Sequence, residues 1–163
     1  CCSTRPAWAY WIAPCPMRAP AWTTQRKAHA HRIAAACRRT GALRVPVVPA
    51  HVQHAYYKFY AFVEADKLAQ GWSRDRIMEE ISAQGVSCTQ GSCSELYLEK
   101  AFDGTGFRPA RRLPVAQELG ATSLMFLVHP TLSEADLELS CRAIEEVLAR
   151  AARAIEACPV CPD

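Results

Sequence analysis

The feature that most constrains the fold is a capped, amphipathic segment close to the C-terminus. Ser133 is a favourable helix N-cap, and Asp136 stands three residues later, as in a capping box. Apolar side chains then follow one helical stripe, at Leu137, Cys141, Ile144, Leu148, Ala151 and Ile155. We therefore predict a long helix over residues 133–157, which must bury this stripe against a second layer of secondary structure.

Upstream of this helix, helical and strand patterns alternate. The predicted helices run from Thr23 or Thr24 to Gly41, over 73–84 with Ser73 as N-cap, and over 113–120. Runs rich in aromatic and β-branched residues predict strands over 56–64 and 122–130. Pro46 and Pro49 restrict the segment between the first helix and the first strand to an edge strand or a connector. This order predicts a small α+β domain, in which a three- to four-stranded sheet is covered by helices.

Length and composition bound the organisation of the chain. Its 163 residues have room for one domain. Residues 1–20 are rich in proline and lack any periodicity, so we predict an irregular, poorly ordered leader, then a domain over 21–157 and a tail over 158–163. A net charge of +3 is too small to indicate a nucleic-acid partner. No apolar run reaches the roughly 18 residues that a membrane span needs, so no membrane partner is expected.

The nine cysteines indicate a reducing compartment. Their number is odd, and the N-terminal apolar stretch is a poor match to a signal peptide. A secreted chain of this size would be expected to carry an even disulfide framework. We therefore predict free thiols and a cytoplasmic location.

The same cysteines leave two chemical alternatives open. Cys158 and Cys161 have the spacing of a zinc knuckle or a redox pair, and Cys88 with Cys93 supplies a second pair at the limit of that spacing. A nucleophilic cysteine would instead need a histidine partner, for which the candidates are His51, His54 and His129. Neither pattern is specific, so we assign no catalytic residue and no metal ligand.

Four segments occur along the chain in a characteristic order. They are AWTTQRKAHAHRIAAACR, HAYYKFYAFV, SRDRIMEEISAQGVSCTQGSCSELYLEKAF and RLPVAQELGATSLMFLVHPTLSEADL. The most specific pieces are GSCSELYLEKAF, and LPVAQELG followed by SLMFLVHPTLSEADL. Together with the closing helix, over about residues 20–155, this set resembles the C-terminal small domain of the DegT/StrS-type aminotransferases.

The resemblance implies a fold, a reaction and a set of partners. Members of this family have the type I fold and use pyridoxal phosphate to transfer an amino group to nucleotide-linked keto sugars. A large domain holds the coenzyme, and a small C-terminal domain packs a sheet and helices beside the cleft. The resemblance thus implies a nucleotide-sugar substrate, pyridoxal phosphate in the parent family and a homodimer in the intact enzyme.

The lysines set a limit on this inference. Family members bind the coenzyme through a lysine in a Ser/Gly-rich segment, which none of Lys27, Lys58, Lys67 and Lys100 matches. The resemblance therefore implies a truncated member that neither catalyses transfer nor binds the coenzyme alone, with a leader that a shifted reading frame would explain. Loss of a partner domain would expose an apolar face and favour self-association. The alternative is a non-catalytic interaction or regulatory module, with zinc on its cysteine pairs.

The segment over 85–102 is the candidate binding loop. By resemblance, a strand leaves the 73–84 helix there and enters a loop that faces the substrate side of the cleft. The substrate-binding residues are then Gly91, Ser92 and Cys93, which are small enough for a sugar nucleotide to approach the backbone. In the alternative interpretation, Ser92 and Ser94 only cap the following turn, and Leu96 and Leu98 pack inward.

Overall fold

A computed structural model describes residues 19–152 and confirms the predicted α+β class. The helices are α1 (Ala19–Arg38), α2 (Arg74–Ala83), α3 (Pro114–Thr122) and α4 (Glu134–Ala151). The strands are β1 (Leu43–Arg44), β2 (Phe59–Val63), β3 (Cys88–Gln90) and β4 (Ser123–Phe126). Short 3-10 turns lie at Ala65–Lys67, Leu96–Leu98 and Lys100–Phe102. The predicted tail over 158–163 and all but the last two residues of the predicted leader lie outside the described residues.

The four strands form one antiparallel sheet in the order β1-β2-β4-β3. Along β2, Phe59, Ala61 and Val63 are buried, whereas Tyr60 and Phe62 are half-buried. Successive residues of a strand point to opposite sides of a sheet. We call the side that carries Phe59, Ala61 and Val63 the inner face, and the side that carries Tyr60 and Phe62 the outer face. Residues paired in register share a face. The inner face therefore also carries Leu124, Phe126 and Cys88, and the outer face carries Ser123, Met125 and Thr89.

The inner face belongs to one continuous hydrophobic core with α1, α2 and α4. Each of these helices contributes side chains that are at most 1% exposed, at Ile33, Cys37, Ile77, Ile81, Ile144, Val147 and Leu148. α4 packs against both α1 and α2. The apolar stripe predicted for α4 is buried at Leu137, Ile144, Leu148 and Ala151 and half-buried at Cys141, while Ile155 lies outside the described residues.

The predicted capping box of α4 is confirmed. The Ser133 hydroxyl accepts a hydrogen bond from the Asp136 amide at 3.2 Å, and the Ser133 amide donates to the Asp136 carboxylate at 2.8 Å. Hydrogen bonds to the Asp136 carboxylate from the Ser133 hydroxyl, at 2.7 Å, and then from the Ser133 amide hold the pKa of Asp136 below its usual value. They fix where the helix begins, and hence how its apolar stripe is presented to the core.

Other element ends differ from the sequence prediction. α1 begins at Ala19, before Thr23 or Thr24, so neither is its N-cap; the Thr24 hydroxyl instead donates to the Pro20 carbonyl at 3.0 Å. The helix ends at Arg38, three residues before the predicted stop at Gly41, which has φ 70°, a conformation that favours glycine. α3 continues through Gly120 to Thr122, and the strand predicted over 122–130 covers only Ser123–Phe126.

Candidate functional site

The three residues predicted to bind substrate lie together in an open groove beyond the end of β3. The groove has a volume of about 340 Å³ and is lined by residues 90–95 and Gly120. It opens beside the outer face of the sheet, because Gly91 is hydrogen-bonded to Ser123 and Ser92 to Tyr60, which are both outer-face residues. Ser92 and Cys93 are exposed to solvent there.

Gly91 is required because its backbone lies close to the Ser123 side chain. Its amide donates to the Ser123 hydroxyl of β4 at 3.2 Å. A Cβ atom at position 91 would lie 2.4 Å from that oxygen and 2.9 Å from the Ser123 Cβ. Both distances are shorter than van der Waals contact, and Ser123 is itself buried, so a larger residue forces the two segments apart.

Ser92 and Cys93 present polar atoms at the rim of the groove. The Ser92 and Tyr60 hydroxyl oxygens are 2.8 Å apart and share a hydrogen bond, which ties the loop to β2. The Cys93 thiol donates to the Glu99 carboxylate at 3.6 Å. An exposed hydroxyl, an exposed thiol and accessible backbone groups suit the recognition of a polar ligand by hydrogen bonds.

The alternative interpretation of this loop, in which Leu96 and Leu98 pack inward, is wrong. Leu96 and Leu98 are 56% and 43% exposed, so neither is anchored in the core. The turn at Leu96–Leu98 has Glu95 at its N-cap position and no side-chain cap. Ser92 bonds to Tyr60 instead of capping this turn.

Sequence reasoning missed the polar network next to the groove. Arg112 donates from Nε to Glu95 Oε1 at 2.8 Å and from its second nitrogen to Oε2. The Tyr97 hydroxyl donates to Glu95 Oε1 at 2.6 Å and accepts from the Leu113 amide at 2.9 Å. The hydrogen bonds from Arg112 and then from Tyr97 lower the pKa of Glu95 to about 2. Because Glu95 and Arg112 are 17 positions apart, no local spacing pattern signals this pair.

Arg108 ties down the outer part of the same segment. Its guanidinium donates to the carbonyls of Tyr97 and Leu98 at 3.0 and 2.9 Å and pairs with Asp103 at 2.6 Å. The neighbouring Arg111 is exposed and has no such partner among the described residues. The charges of Arg108 and Arg112 are therefore largely neutralised by Asp103 and Glu95.

The metal and nucleophile alternatives receive no support from the described residues. Cys88 is buried on the inner face, where burial raises the pKa of its thiol to about 12, whereas Cys93 is exposed at the groove. Residues 19–152 contain no cluster of three or more His, Cys, Asp or Glu side chains that could hold a metal ion. Cys158 and Cys161 lie outside this range.

Two of the three candidate histidines form hydrogen bonds to other residues. His54 Nδ1 accepts from the Tyr56 amide at 3.0 Å, and His129 Nδ1 lies 2.7 Å from the Thr131 hydroxyl. His51 is exposed. Between residues 19 and 152, no cysteine shares a hydrogen bond with a histidine, so the geometry of a Cys–His nucleophile is not formed there.

None of the four lysines has the surroundings of a coenzyme-binding amine. Lys27 donates to the Gln53 side chain at 2.7 Å, and Lys58 lies 5.7 Å from the centre of the Tyr57 ring. Glu64 forms an ion pair with Lys67 and raises its pKa, which favours the charged form. Lys100 is exposed. A Schiff-base lysine needs a neutral amine in a desolvated pocket, and these side chains lie at the surface.

Comparison with known proteins shows that the chain is similar to part of the aminotransferases of one family. The profile of the DegT/DnrJ/EryC1/StrS aminotransferase family matches residues 17–145. The aminotransferase from Psychrobacter cryohalolentis is 52% identical with a TM-score of 0.76, over 82% of this chain and 36% of that one. No curated protein matches the chain significantly.

Two more distant structures share the fold. Spr1654 from Streptococcus pneumoniae, in its PLP form, is 16% identical with a TM-score of 0.62, over 80% of this chain and 32% of that one. The sugar aminotransferase CalS13 from Micromonospora echinospora is 12% identical with a TM-score of 0.63, over 78% and 31%. The chain thus spans about a third of the length of these solved structures. Within the described residues, no helix is both long and apolar enough to cross a membrane.

Proposed function

This chain belongs to the DegT/DnrJ/EryC1/StrS aminotransferase family, and from that premise we propose that it forms the small-domain part of a sugar aminotransferase. The parent enzyme transfers an amino group to a keto-sugar nucleotide with pyridoxal phosphate. The observation that carries the proposal is the groove at Gly91, Ser92 and Cys93, formed within the region that matches the family. Its polar rim suits a ligand rich in hydroxyl and phosphate groups.

Within that enzyme, the groove residues contact the sugar nucleotide. Because Gly91 has no side chain, its backbone lies directly against Ser123, which leaves room in the groove for a bulky ligand. The Ser92 hydroxyl, already oriented by Tyr60, can exchange hydrogen bonds with the hydroxyls of the sugar. Cys93 adds a small, polarizable side chain at the same rim.

The coenzyme itself does not fit the described residues. Pyridoxal phosphate supplies an electron sink for amino transfer, and it is anchored on a lysine. The lysines between residues 19 and 152 are exposed or paired, as described above, so we derive no catalytic step from them. We propose that the 163 residues alone neither bind the coenzyme covalently nor transfer amino groups.

Two further properties of the parent enzyme are part of the proposal. A homodimer or a second domain would cover exposed apolar side chains such as Leu113 and Val115, which are 48% and 66% exposed. Without such a cover, self-association of the isolated chain is expected. A cytoplasmic location is supported by free thiols at Cys37, Cys88, Cys93 and Cys141.

The substrate contact is tested in a chimera. Residues 19–152 replace the matching segment of the Psychrobacter cryohalolentis aminotransferase, and transfer to keto-sugar nucleotides is measured. We expect Ser92→Ala to raise the KM for the sugar nucleotide several-fold, because a hydrogen bond to the ligand is lost. Ser87→Ala is the matched control, since Ser87 is an exposed serine at the opposite end of β3. A folded chimera that aminates no keto-sugar nucleotide, or equal KM values in both variants, would contradict the proposal.

The coenzyme statement is tested on the 163-residue chain. The chain is incubated with pyridoxal phosphate, reduced with borohydride and digested for mass spectrometry. We expect no stoichiometric adduct on Lys27, Lys58, Lys67 or Lys100; an adduct on any of them rejects the statement. Stoichiometric zinc in the purified chain would instead favour the alternative of a zinc-binding interaction module.

A further inference from the structure

The segment from residue 91 to residue 113 is not held in place by the hydrophobic core. It contains no strand and no α-helix, only the two 3-10 turns. Most of its large apolar side chains are substantially exposed, with Phe107 at 79% and Leu98 at 43%, whereas Phe102 is half-buried. Buried apolar area therefore contributes little to its position, and polar contacts must supply the order.

Glu95 is the centre of those polar contacts. Both of its carboxylate oxygens are engaged by Arg112, in the two-pronged arrangement that is the strongest form of this ion pair. The third member is the Tyr97 hydroxyl, which donates to Glu95 and accepts a hydrogen bond from the Leu113 amide at the start of α3. We call Glu95, Tyr97, Arg112 and the Leu113 amide the Glu95 network.

This network adjoins the groove directly. Glu95 lines the groove, and Ser94 next to it packs against α3, where a Cβ atom on Gly120 would be 2.5 Å from the Ser94 hydroxyl. At the other end, Ser92 is held by Tyr60. The groove wall over residues 92–94 is thus fixed at two points, by the sheet on one side and by the Glu95 network on the other.

We propose that Glu95 is a positioning residue, which fixes the groove wall for a nucleotide-sugar ligand through Arg112 and Tyr97. It acts without contacting the ligand, because its two oxygens are already occupied by protein donors. The inference deepens the proposed function and rests on it for the class of ligand. The planar fork of Arg112 matters as well as its charge, so lysine should not replace it.

The test uses the ¹⁵N-labelled 163-residue chain with two readouts. Amide hydrogen exchange reports how firmly Leu113 and Gly91 are held, and titration with UDP-glucose, followed by the amide shifts of residues 92–94, gives a Kd. We expect Glu95→Gln and Arg112→Lys each to accelerate exchange of the Leu113 amide about tenfold or more, because its acceptor Tyr97 loses its own anchor. Each should also weaken UDP-glucose binding about fivefold or more.

Matched controls separate this effect from a general loss of structure. Glu118→Gln and Arg111→Lys change exposed residues that form no ion pair among the described residues, and neither should alter exchange or affinity. Amides of β4 and α4 should exchange equally slowly in every variant. The double variant Glu95→Gln/Arg112→Gln should be no worse than Glu95→Gln, because the two side chains act as one unit.

The outcomes separate the two proposals. If Leu113 exchange and UDP-glucose affinity are both unchanged in Glu95→Gln, the positioning role is overturned. It is also overturned if the wild-type chain binds UDP-glucose and Glu95→Gln binds it equally well. If the wild-type chain does not respond to UDP-glucose but Leu113 exchange accelerates as expected, the groove of the isolated chain does not bind the nucleotide sugar, while the fixing of the groove wall by Glu95 stands.

Discussion

The two faces of the sheet are built on different physical principles. On the inner face, apolar side chains such as Leu124 and Phe126 pack against three helices and are at most 1% exposed. The residues beyond the outer face, from 91 to 113, are ordered by hydrogen bonds and ion pairs around Glu95 and leave Phe107 79% exposed. The inner face therefore supplies most of the stability, while the loop beyond the outer face can vary in sequence without unfolding the domain.

The largest test of this contrast compares one phenylalanine from each side. Phe126→Ala should lower the free energy of unfolding by about 3–5 kcal/mol, because it leaves a cavity in the core. Phe107→Ala should change it by less than about 0.5 kcal/mol, since that ring is already in solvent. Urea denaturation followed by circular dichroism measures both. Equal losses would show that the outer segment is part of the cooperative core.

Cysteine alkylation maps the same contrast through chemistry. Burial is the main cause that raises the thiol pKa of Cys37 and of Cys88 to about 12, from an ordinary value of 9.0. Such thiols carry about a thousandfold less thiolate than ordinary ones and are shielded from reagents as well. Iodoacetamide at pH 8, read by site-resolved mass spectrometry, should label Cys93 rapidly and the two buried thiols only in urea. Rapid labelling of Cys88 in the folded chain would contradict its place in the core.

Gly91 joins the two regions, and its replacement tests the close approach to Ser123. Gly91→Ala should cost about 1–3 kcal/mol, because the new methyl group meets both the hydroxyl and the Cβ of a buried serine. Gly120→Ala is the matched comparison, since its clash is with the Ser94 hydroxyl alone and Ser94→Ala should relieve it. Ser123→Ala should not relieve Gly91→Ala, because the 2.9 Å contact with Cβ remains. Denaturation midpoints of the single and double variants decide this.

The inner face was largely predictable from the sequence, and the reason is local. The caps at Ser73 and Ser133 and the stripe of α4 are encoded within one or two helical turns, where spacing alone fixes the geometry. The start of α1 was not predictable in this way, because Thr23 and Thr24 match an N-cap but lie inside the helix. α3 likewise passes through Gly120, whose lack of a side chain is explained by Ser94 rather than by a helix stop.

The groove could be located from the sequence only in part. Gly91, Ser92 and Cys93 were identified by the resemblance of their segment to a known family, and the structure brings them together in one groove. The Glu95 network was missed because Arg112 is distant in sequence from Glu95. Leu96 and Leu98 were misleading because burial depends on the surrounding fold and not only on the side chain. Inward packing was the alternative for these two side chains, but both are exposed, because their turn lies where the core does not reach.

A smaller effect is expected from the helix cap that begins α4. Ser133→Ala removes the side-chain acceptor for the Asp136 amide and should cost about 1 kcal/mol. Ser87→Ala, an exposed serine outside any cap, should be neutral within about 0.5 kcal/mol. Thermal denaturation of both variants provides the comparison. A neutral Ser133→Ala would mean that the hydroxyl bond is dispensable and that the Ser133 amide bond to Asp136, together with packing, fixes the start of this helix.

The smallest expected change in overall stability comes from the titration of Glu95, which affects only the outer segment. Its pKa in the folded chain is about 2, below the ordinary value of 4.5, so the ion pair stabilises the fold fully above pH 4.5. That contribution is lost as the pH falls from 4.5 towards 2. The ¹³C shift of the Glu95 carboxyl carbon should titrate with a midpoint near 2, and Arg112→Gln should move the midpoint back up towards 4.5. An unchanged midpoint in Arg112→Gln would remove the arginine as the main cause, whereas Arg111→Gln is expected to leave the midpoint where it was.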